Sequence, residues 1–311
     1  MSVETTGVLL MAYGGPDSLD DIPAFLLDIR GGRPTSQELV DEITENYRKI
    51  GGSSPLLALT ERQAALVEAR LNETAPPGRR YKTYIGMRHW TPWIEDAVER
   101  MIADGIGHAV ALVLAPHYSS MSTARYFAKL DKALAERGDA FSYTPITSYH
   151  DHPRYIQALA ARVRQALAEM PADTLVIFSA HSLPQRILAQ GDPYDAQLRE
   201  TARLVAAQAG LPVERWTFSY QSAGRTPEPW LGPQLEEYVV ELARQGHRHL
   251  LSVPVGFVAD HVEILFDIDI KARHAAQVAG ARLERVPSLN DDPLFVEALA
   301  DLVQRANGGC P

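Results

Sequence analysis

Short apolar runs recur along the chain at residues 8–13, 81–87, 108–116, 141–149, 175–180, 216–221, 250–256 and 282–286. The first, Val8-Leu-Leu-Met-Ala-Tyr13, stops at Gly14-Gly15-Pro16, as a buried strand feeding a loop does. Between most of these runs the apolar positions switch to helical spacing, as at 36–49, 60–72, 93–104, 154–169, 194–209 and 235–245. Strand-like runs alternating with helical segments predict an α/β protein with parallel sheets.

The eight expected strands divide four and four, and the halves rhyme loosely: Leu10-Met-Ala-Tyr-Gly and Val113-Leu-Ala-Pro-His-Tyr in one, Phe178-Ser-Ala-His-Ser and Val253-Pro-Val-Gly-Phe in the other. The expectation is two Rossmann-like, doubly wound domains, residues 1–145 and 146–289. A final helix at 293–305, within the stretch 290–311, returns to pack on the first. The two four-stranded parallel sheets are expected to face a central cleft, with ligands beyond the carboxyl ends of the strands. Those ends carry Tyr13, His117 with Tyr118, His181 and the segment beginning at Asp260. No Gly-x-Gly-x-x-Gly fingerprint or Walker A loop occurs at any of them, which disfavours nucleotides.

The richest stretch is 253–269, where a strand is expected to turn at Gly256 into a helix. On that helix Asp260, Glu263 and Asp267 would share one face at i, i+3 and i+7, with His261 beside them and no basic residue before Lys271. An acidic face near a helix start is usually a solvated surface favoured by the macrodipole. Here Phe257, Val258, Val262, Ile264, Leu265 and Phe266 surround the carboxylates, which makes solvation harder. Oxygen ligands in a row suit a divalent cation held loosely and passed on.

His181 stands where a strand leaves its sheet, in Ser179-Ala-His-Ser-Leu-Pro184. It reads either as a structural histidine or as a metal ligand and proton acceptor near neutral pH. Ser179 and Ser182 invite a hydrolase reading, but the Gly-x-Ser-x-Gly elbow is missing. The Pro- and Gly-rich run 220–233 is a shaped loop, as is the turn at 191–194. Ile29-Arg-Gly-Gly-Arg33 and the hydroxyls of Gly51-Gly-Ser-Ser-Pro55 could anchor an acidic ligand or be ordinary surface groups.

With 311 residues there is room for two ordinary domains, and 46% apolar with 22% charged residues describes a soluble globular protein. The formal charge of −9 argues against nucleic acid as a partner, though a local basic pocket for a small anion remains compatible with it. Cys310 is the single cysteine, so neither a disulfide nor a cysteine-held iron–sulfur or zinc site forms within the chain. The start lacks a signal-peptide pattern, and the longest apolar run, 109–115, is too short for a bilayer; a cytoplasmic location is expected.

Seven motifs in order, spread over nearly the whole chain, resemble the ferrochelatase family, whose members insert ferrous iron into a porphyrin in haem synthesis. They are Met11-Ala-Tyr-Gly, Ile29-Arg-Gly-Gly-Arg, Gly51-Gly-Ser-Ser-Pro-Leu, Leu114-Ala-Pro-His-Tyr-Ser, Ser179-Ala-His-Ser-Leu-Pro, Tyr220-Gln-Ser through Pro229-Trp-Leu-Gly-Pro, and Val255-Gly-Phe-Val-Ala-Asp-His-Val-Glu. The resemblance implies the class II chelatase-like fold. It implies His181 and Glu263 as the pair handling metal and pyrrole protons, and Asp267 as an outer metal site. Tyr13 would be the axial oxygen facing the porphyrin iron, with Arg30, Asn46, Tyr47, Ser54 and Tyr126 as porphyrin contacts. Asn46 departs from a usually basic position, and Lys271 stands where relatives carry a carboxylate.

The likeness is nearest to the short soluble Gram-positive type, which makes coprohaem from coproporphyrin III. The alternatives are a protoporphyrin IX enzyme, a cobalt chelatase, or a carrier that binds porphyrin or metal without turnover. Iron is implied as a substrate, with no tightly bound cofactor and no iron–sulfur cluster. A monomer is implied, with no integral membrane segment, touching downstream haem-synthesis or iron-delivery proteins only transiently.

Overall fold

The computed structural model describes residues 4–308, so Cys310 lies outside the described residues. The elements run β1 (Glu4–Ala12), α1 (Ile22–Ile29), α2 (Gln37–Lys49), α3 (Leu56–Glu73), β2 (Arg79–Met87), α4 (Ile94–Ala103), β3 (His108–Val113), α5 (Thr123–Ala135) and β4 (Ser142–Ile146). Then follow α6 (Pro153–Ala168), β5 (Leu175–His181), α7 (Arg186–Ala189), α8 (Tyr194–Ala209), β6 (Trp216–Gln221), α9 (Leu235–Arg244), β7 (His249–Pro254), α10 (Val262–Leu265), α11 (Arg273–Val278), β8 (Arg282–Arg285) and α12 (Pro293–Ala306).

Two four-stranded sheets result, in the orders β2-β1-β3-β4 and β6-β5-β7-β8, with every strand pair parallel. The central strand of each carries a wholly buried apolar run, Val8–Met11 in β1 and Val176–Phe178 in β5, as strands covered by helices on both faces must. Each such side chain contributes roughly 1.5–3 kcal/mol by leaving water.

The chain divides into two compact units. The first holds the residues up to Pro116, then Ser120–Tyr149 and the stretch from Asn290, whose α12 packs on α3 and β4. Its core joins Leu9 and Met11 of β1 to Ile94, Val98 and Met101 of α4 and to Phe127 and Leu130 of α5. The second holds His117–Ser119 and His150–Leu289. There Ile177 and Leu250 pack with Val239 and Leu242 of α9, and with Ile264 and Ile268 beside the acidic stretch.

Several boundaries differ from expectation for local reasons. α3 begins at Leu56, directly after Pro55, four residues before the periodic stretch becomes obvious. β1 starts at Glu4 because the polar residues Glu4 to Thr6 still pair with Arg79 to Tyr81. The larger departure is in the acidic stretch. α10 spans only four residues and gives way to a π-helical turn, Asp267–Ala272, in which Lys271 N donates to Phe266 O at 2.9 Å, an i→i−5 bond.

Candidate active site

His181 is the last residue of β5, so its direction is fixed by the sheet. Tyr194 OH donates to His181 O at 3.0 Å, and Ser182 N donates to Gln221 O at 2.7 Å, which pins the chain as it leaves. The His181 Nδ1 lies 2.7 Å from Glu263 Oε2, and the two side chains are 34% and 27% exposed. The pair is therefore tightly coupled yet reachable by a ligand. A carboxylate on Nδ1 favours a proton there and leaves the Nε2 lone pair as the acceptor or ligand.

Burial alone would pull the His181 imidazole down. The charge and hydrogen bond of Glu263, with Asp267 behind it, outweigh burial and hold it above its ordinary value. Burial also works to raise Glu263, but the imidazole, by charge and hydrogen bond, keeps it well below the usual carboxylate range, at about 2. Asp267 moves the other way: burial, then the negative charge of Glu263, push it up to about 6. Titrating groups pushed apart in this manner divide acid and base roles between neighbours.

Two residues that sequence reasoning treated as loop scaffold build this centre. Gln221 ends β6 opposite His181 in the sheet register; its Nε2 donates to Glu263 O at 2.7 Å while its Oε1 accepts from Ser179 Oγ at 3.0 Å. Ser222 follows in a left-handed conformation, φ 57°, and its hydroxyl donates to Asp267. A non-glycine residue held there costs on the order of 1–3 kcal/mol of backbone strain, a placement usual at functional sites. The signals in the sequence were their place at the end of a strand run, Gln221 as its last residue and Ser222 just after, and their presence in the Tyr220-Gln-Ser motif.

The structure corrects the expected acidic row. Asp260 precedes the helix instead of sharing a face with Glu263, since His261 is the residue that caps α10. The Asp260 carboxylate accepts from Ser288 Oγ at 2.7 Å and lies 3.4 Å from Arg285 Nη1. Lys271 turns to Glu236, 2.6 Å away. Glu263 and Asp267 remain together; Asp260 is withdrawn. Ser179 and Ser182 are buried and donate to Gln221 and to Leu231 O, which leaves neither as a nucleophile. Among the described residues, no three His, Cys, Asp or Glu side chains are arranged to hold a metal ion. What the pair offers a cation is one imidazole nitrogen and carboxylate oxygens.

The first unit gathers its own candidates. Tyr13 follows β1 and is 38% exposed, its ring 4.6 Å from that of His89 and edge-on to Phe25. His89, which sequence reasoning missed, donates its backbone N–H to the Tyr13 carbonyl at 2.9 Å, and its ring pairs through Nδ1 with Asp28 at 2.7 Å. Burial holds its imidazole down, at about 4.

Tyr47 and Ser54 meet at Gly15, where an added Cβ would lie 2.5 Å from the Ser54 side chain and 3.8 Å from Tyr47 Oη. That approach is why position 15 takes glycine. Tyr126 is buried in the first turn of α5 with the Arg88 guanidinium 5.3 Å from its ring centroid. Arg30 is exposed at the end of α1, before Gly31 and Gly32, and Asn46 is half-buried on α2. No helix among the described residues is long and apolar enough to cross a membrane.

Comparison with known proteins bears on the fold and the family. Among solved structures, the sirohydrochlorin chelatase SirB from Bacillus subtilis subspecies spizizenii, in complex with cobalt, superimposes with a TM-score of 0.56 at 9% identity, over 97% of this chain and 95% of that one. CbiX, the terminal enzyme of sirohaem biosynthesis in denitrifying bacteria, gives 0.52 at 15% identity over 96% and 99%. These likenesses show the class II chelatase-like fold. In sequence, a protein of Deinococcus radiodurans named ferrochelatase is 56% identical over 96% of this chain and 95% of its own length. One of Geobacillus thermodenitrificans named coproporphyrin III ferrochelatase is 45% identical over 97% and 96%. Another of that name, from Bacillus subtilis, is 41% identical over 99% and 100%. The profile of the ferrochelatase family matches residues 5–307, and the chain belongs to that family.

Proposed function

We propose that this chain inserts ferrous iron into coproporphyrin III to give coprohaem, as a monomer in the cytoplasm, with iron as substrate and no resident cofactor or iron–sulfur cluster. The observation that carries the chemistry is the 2.7 Å contact between His181 and Glu263 beside Asp267. Insertion requires two pyrrole protons to leave, water to be stripped from Fe²⁺, and the macrocycle to bend so that its nitrogen lone pairs point at the metal.

His181 Nε2 takes a pyrrole proton, and a positioned base of this kind typically supplies ~10²–10⁴-fold in rate. Glu263 stabilises the imidazolium that results and, with Asp267, offers oxygens to the incoming ion. A site with one nitrogen and a few oxygens binds iron weakly enough to release it, unlike a closed four-ligand site. Holding the bent macrocycle takes roughly 1–5 kcal/mol of remote binding energy. We assign that part to Arg30, Asn46, Tyr47, Ser54 and Tyr126, with Tyr13 as the axial oxygen.

The substrate assignment rests on relatives named coproporphyrin III ferrochelatase at 41–45% identity. Protoporphyrin IX is the second reading, kept because the Deinococcus relative at 56% carries the plain family name. Anaerobic incubation with Fe²⁺ and each porphyrin in turn, followed by loss of free-porphyrin fluorescence, decides between them. Faster insertion into coproporphyrin III supports the first reading; a preference for protoporphyrin IX replaces it. No turnover with either moves the reading of a carrier that binds porphyrin or metal without turnover to the front.

A further inference from the structure

Four carboxylates, Asp260, Glu263, Asp267 and Asp269, lie within ten residues, and one guanidinium deals with two of them. Arg285, the last residue of β8, has a side chain only 10% exposed. Its Nε and Nη2 each donate to an oxygen of Asp269 at 2.8 Å, a bidentate fork. Its Nη1 donates to Val286 O at 3.0 Å and Ser288 Oγ at 3.3 Å, and stands 3.4 Å from Asp260. Ser288 Oγ completes the network by donating to Asp260 at 2.7 Å. Asp260 comes three residues before Glu263, and Asp269 two residues after Asp267.

We propose that Arg285 is a positioning residue for iron: it clamps the segment carrying Glu263 and Asp267 at both ends and removes Asp260 and Asp269 from the cation's reach. The segment needs such a clamp. α10 has four residues and continues through the π-helical turn into α11, so the i→i−4 ladder is interrupted where Asp267 sits and the arginine fork adds a fixed point on either side of it. Uncompensated, the four carboxylates would repel one another and present a diffuse anionic sink. With Asp260 neutralised by Arg285, and Asp269 by Arg285 with Arg273 farther off at 3.9 Å, the cation is left Glu263 and Asp267 next to His181. The clamp rests on the reading of Glu263 and His181 as the groups that meet iron, given above.

The test is steady-state insertion with iron varied at saturating porphyrin and porphyrin varied at saturating iron. Replacing groups that orient metal-handling carboxylates typically costs 10–100-fold. Arg285→Met should therefore raise KM for Fe²⁺ about tenfold while leaving the porphyrin KM unchanged. Arg285→Lys keeps the charge but loses the fork, and should fall between. A folded Arg285→Met protein with native iron KM, or with both KM values raised in parallel, would make the residue merely structural. If Arg285→Met does not fold, the near-isosteric Asp269→Asn carries the same expectation, and an unchanged iron KM there overturns the proposal. Glu263→Gln measured alongside separates the two failures. Native insertion by that variant removes both the reading of the site and the clamp, whereas a crippled Glu263→Gln with normal iron KM in the Arg285 and Asp269 variants removes the clamp alone.

Discussion

His181 Nδ1 and Glu263 Oε2 stand 2.7 Å apart although 82 residues separate them in the chain. The imidazole is raised by the carboxylate, so Glu263→Gln should do two things at once. Insertion should fall by about 10²-fold or more, the scale of losing a poised general base. Because the neutral imidazole is the acceptor, rate rises with pH through the His181 pKa, and without Glu263 that rise should begin at lower pH. A pH–rate profile in which the acid limb stays in place would show that the carboxylate does not set the histidine.

Ser222 is held in the left-handed region while its hydroxyl donates to Asp267. Ser222→Ala removes a hydrogen bond to a carboxylate, worth about 1.5–3 kcal/mol, and that bond pulls Asp267 down. The carboxyl should therefore titrate above about 6, and infrared difference spectra of the protonated band against pH report it. Ser222→Gly shares the loss but relieves the backbone, so it should be the more stable of the two variants by about 1 kcal/mol in chemical unfolding.

Gly256 sits where β7 hands over to the acidic stretch, and an added Cβ there would lie 2.7 Å from Ala180 Cβ and 3.1 Å from Ala180 Cα, the residue before His181. The backbone cannot yield without moving the strand end. Gly256→Ala is expected to cost about 1–3 kcal/mol and to lower kcat, whereas Gly210→Ala, with open space at the same distance, should cost only its left-handed φ of 76°. Thermal midpoints and turnover of the two variants check this, and equal kcat in both would contradict it.

His117 is buried, its Nε2 donating to Thr201 Oγ1 at 2.8 Å while that hydroxyl donates to His150 O at 2.7 Å. Burial, then the neighbouring His150, push its imidazole down to about 3. The unfolded chain titrates this group near 6.5, so between those values the unfolded state binds the extra proton and stability falls as pH drops. From pH 7 to pH 5 the loss due to His117 is about 2 kcal/mol. His117→Gln should flatten the acid side of a urea-unfolding series by that amount, and an unchanged slope would mean the histidine protonates in the fold.

The inner strands were legible because β1, β3, β5 and β7 are near-continuous apolar runs, and the alternation with helices fixed the parallel architecture although the outer strands β2, β4 and β8 are more polar. α1 escaped notice since it is only eight residues long and apolar on more than one side, with Leu26 buried and Leu27 43% exposed. The acidic row misled for a different reason. A spacing rule for an α-helix fails where the chain starts late, turns π-helical and meets an arginine from a strand sixteen residues beyond Asp269. His181 at its strand end and Glu263 in the acidic stretch were each legible locally, but their pairing came from resemblance, because no local pattern announces a contact across 82 residues. Gln221 and Ser222 gain meaning only once β6 lies beside β5, and His89 only once β2 lies beside β1.

The most direct measurement is single-turnover iron insertion by His181→Ala, with porphyrin affinity determined on the same sample by fluorescence quenching. The account predicts insertion lower by about 10²–10⁴-fold with porphyrin bound as tightly as by the native protein. Insertion at the native rate would contradict it.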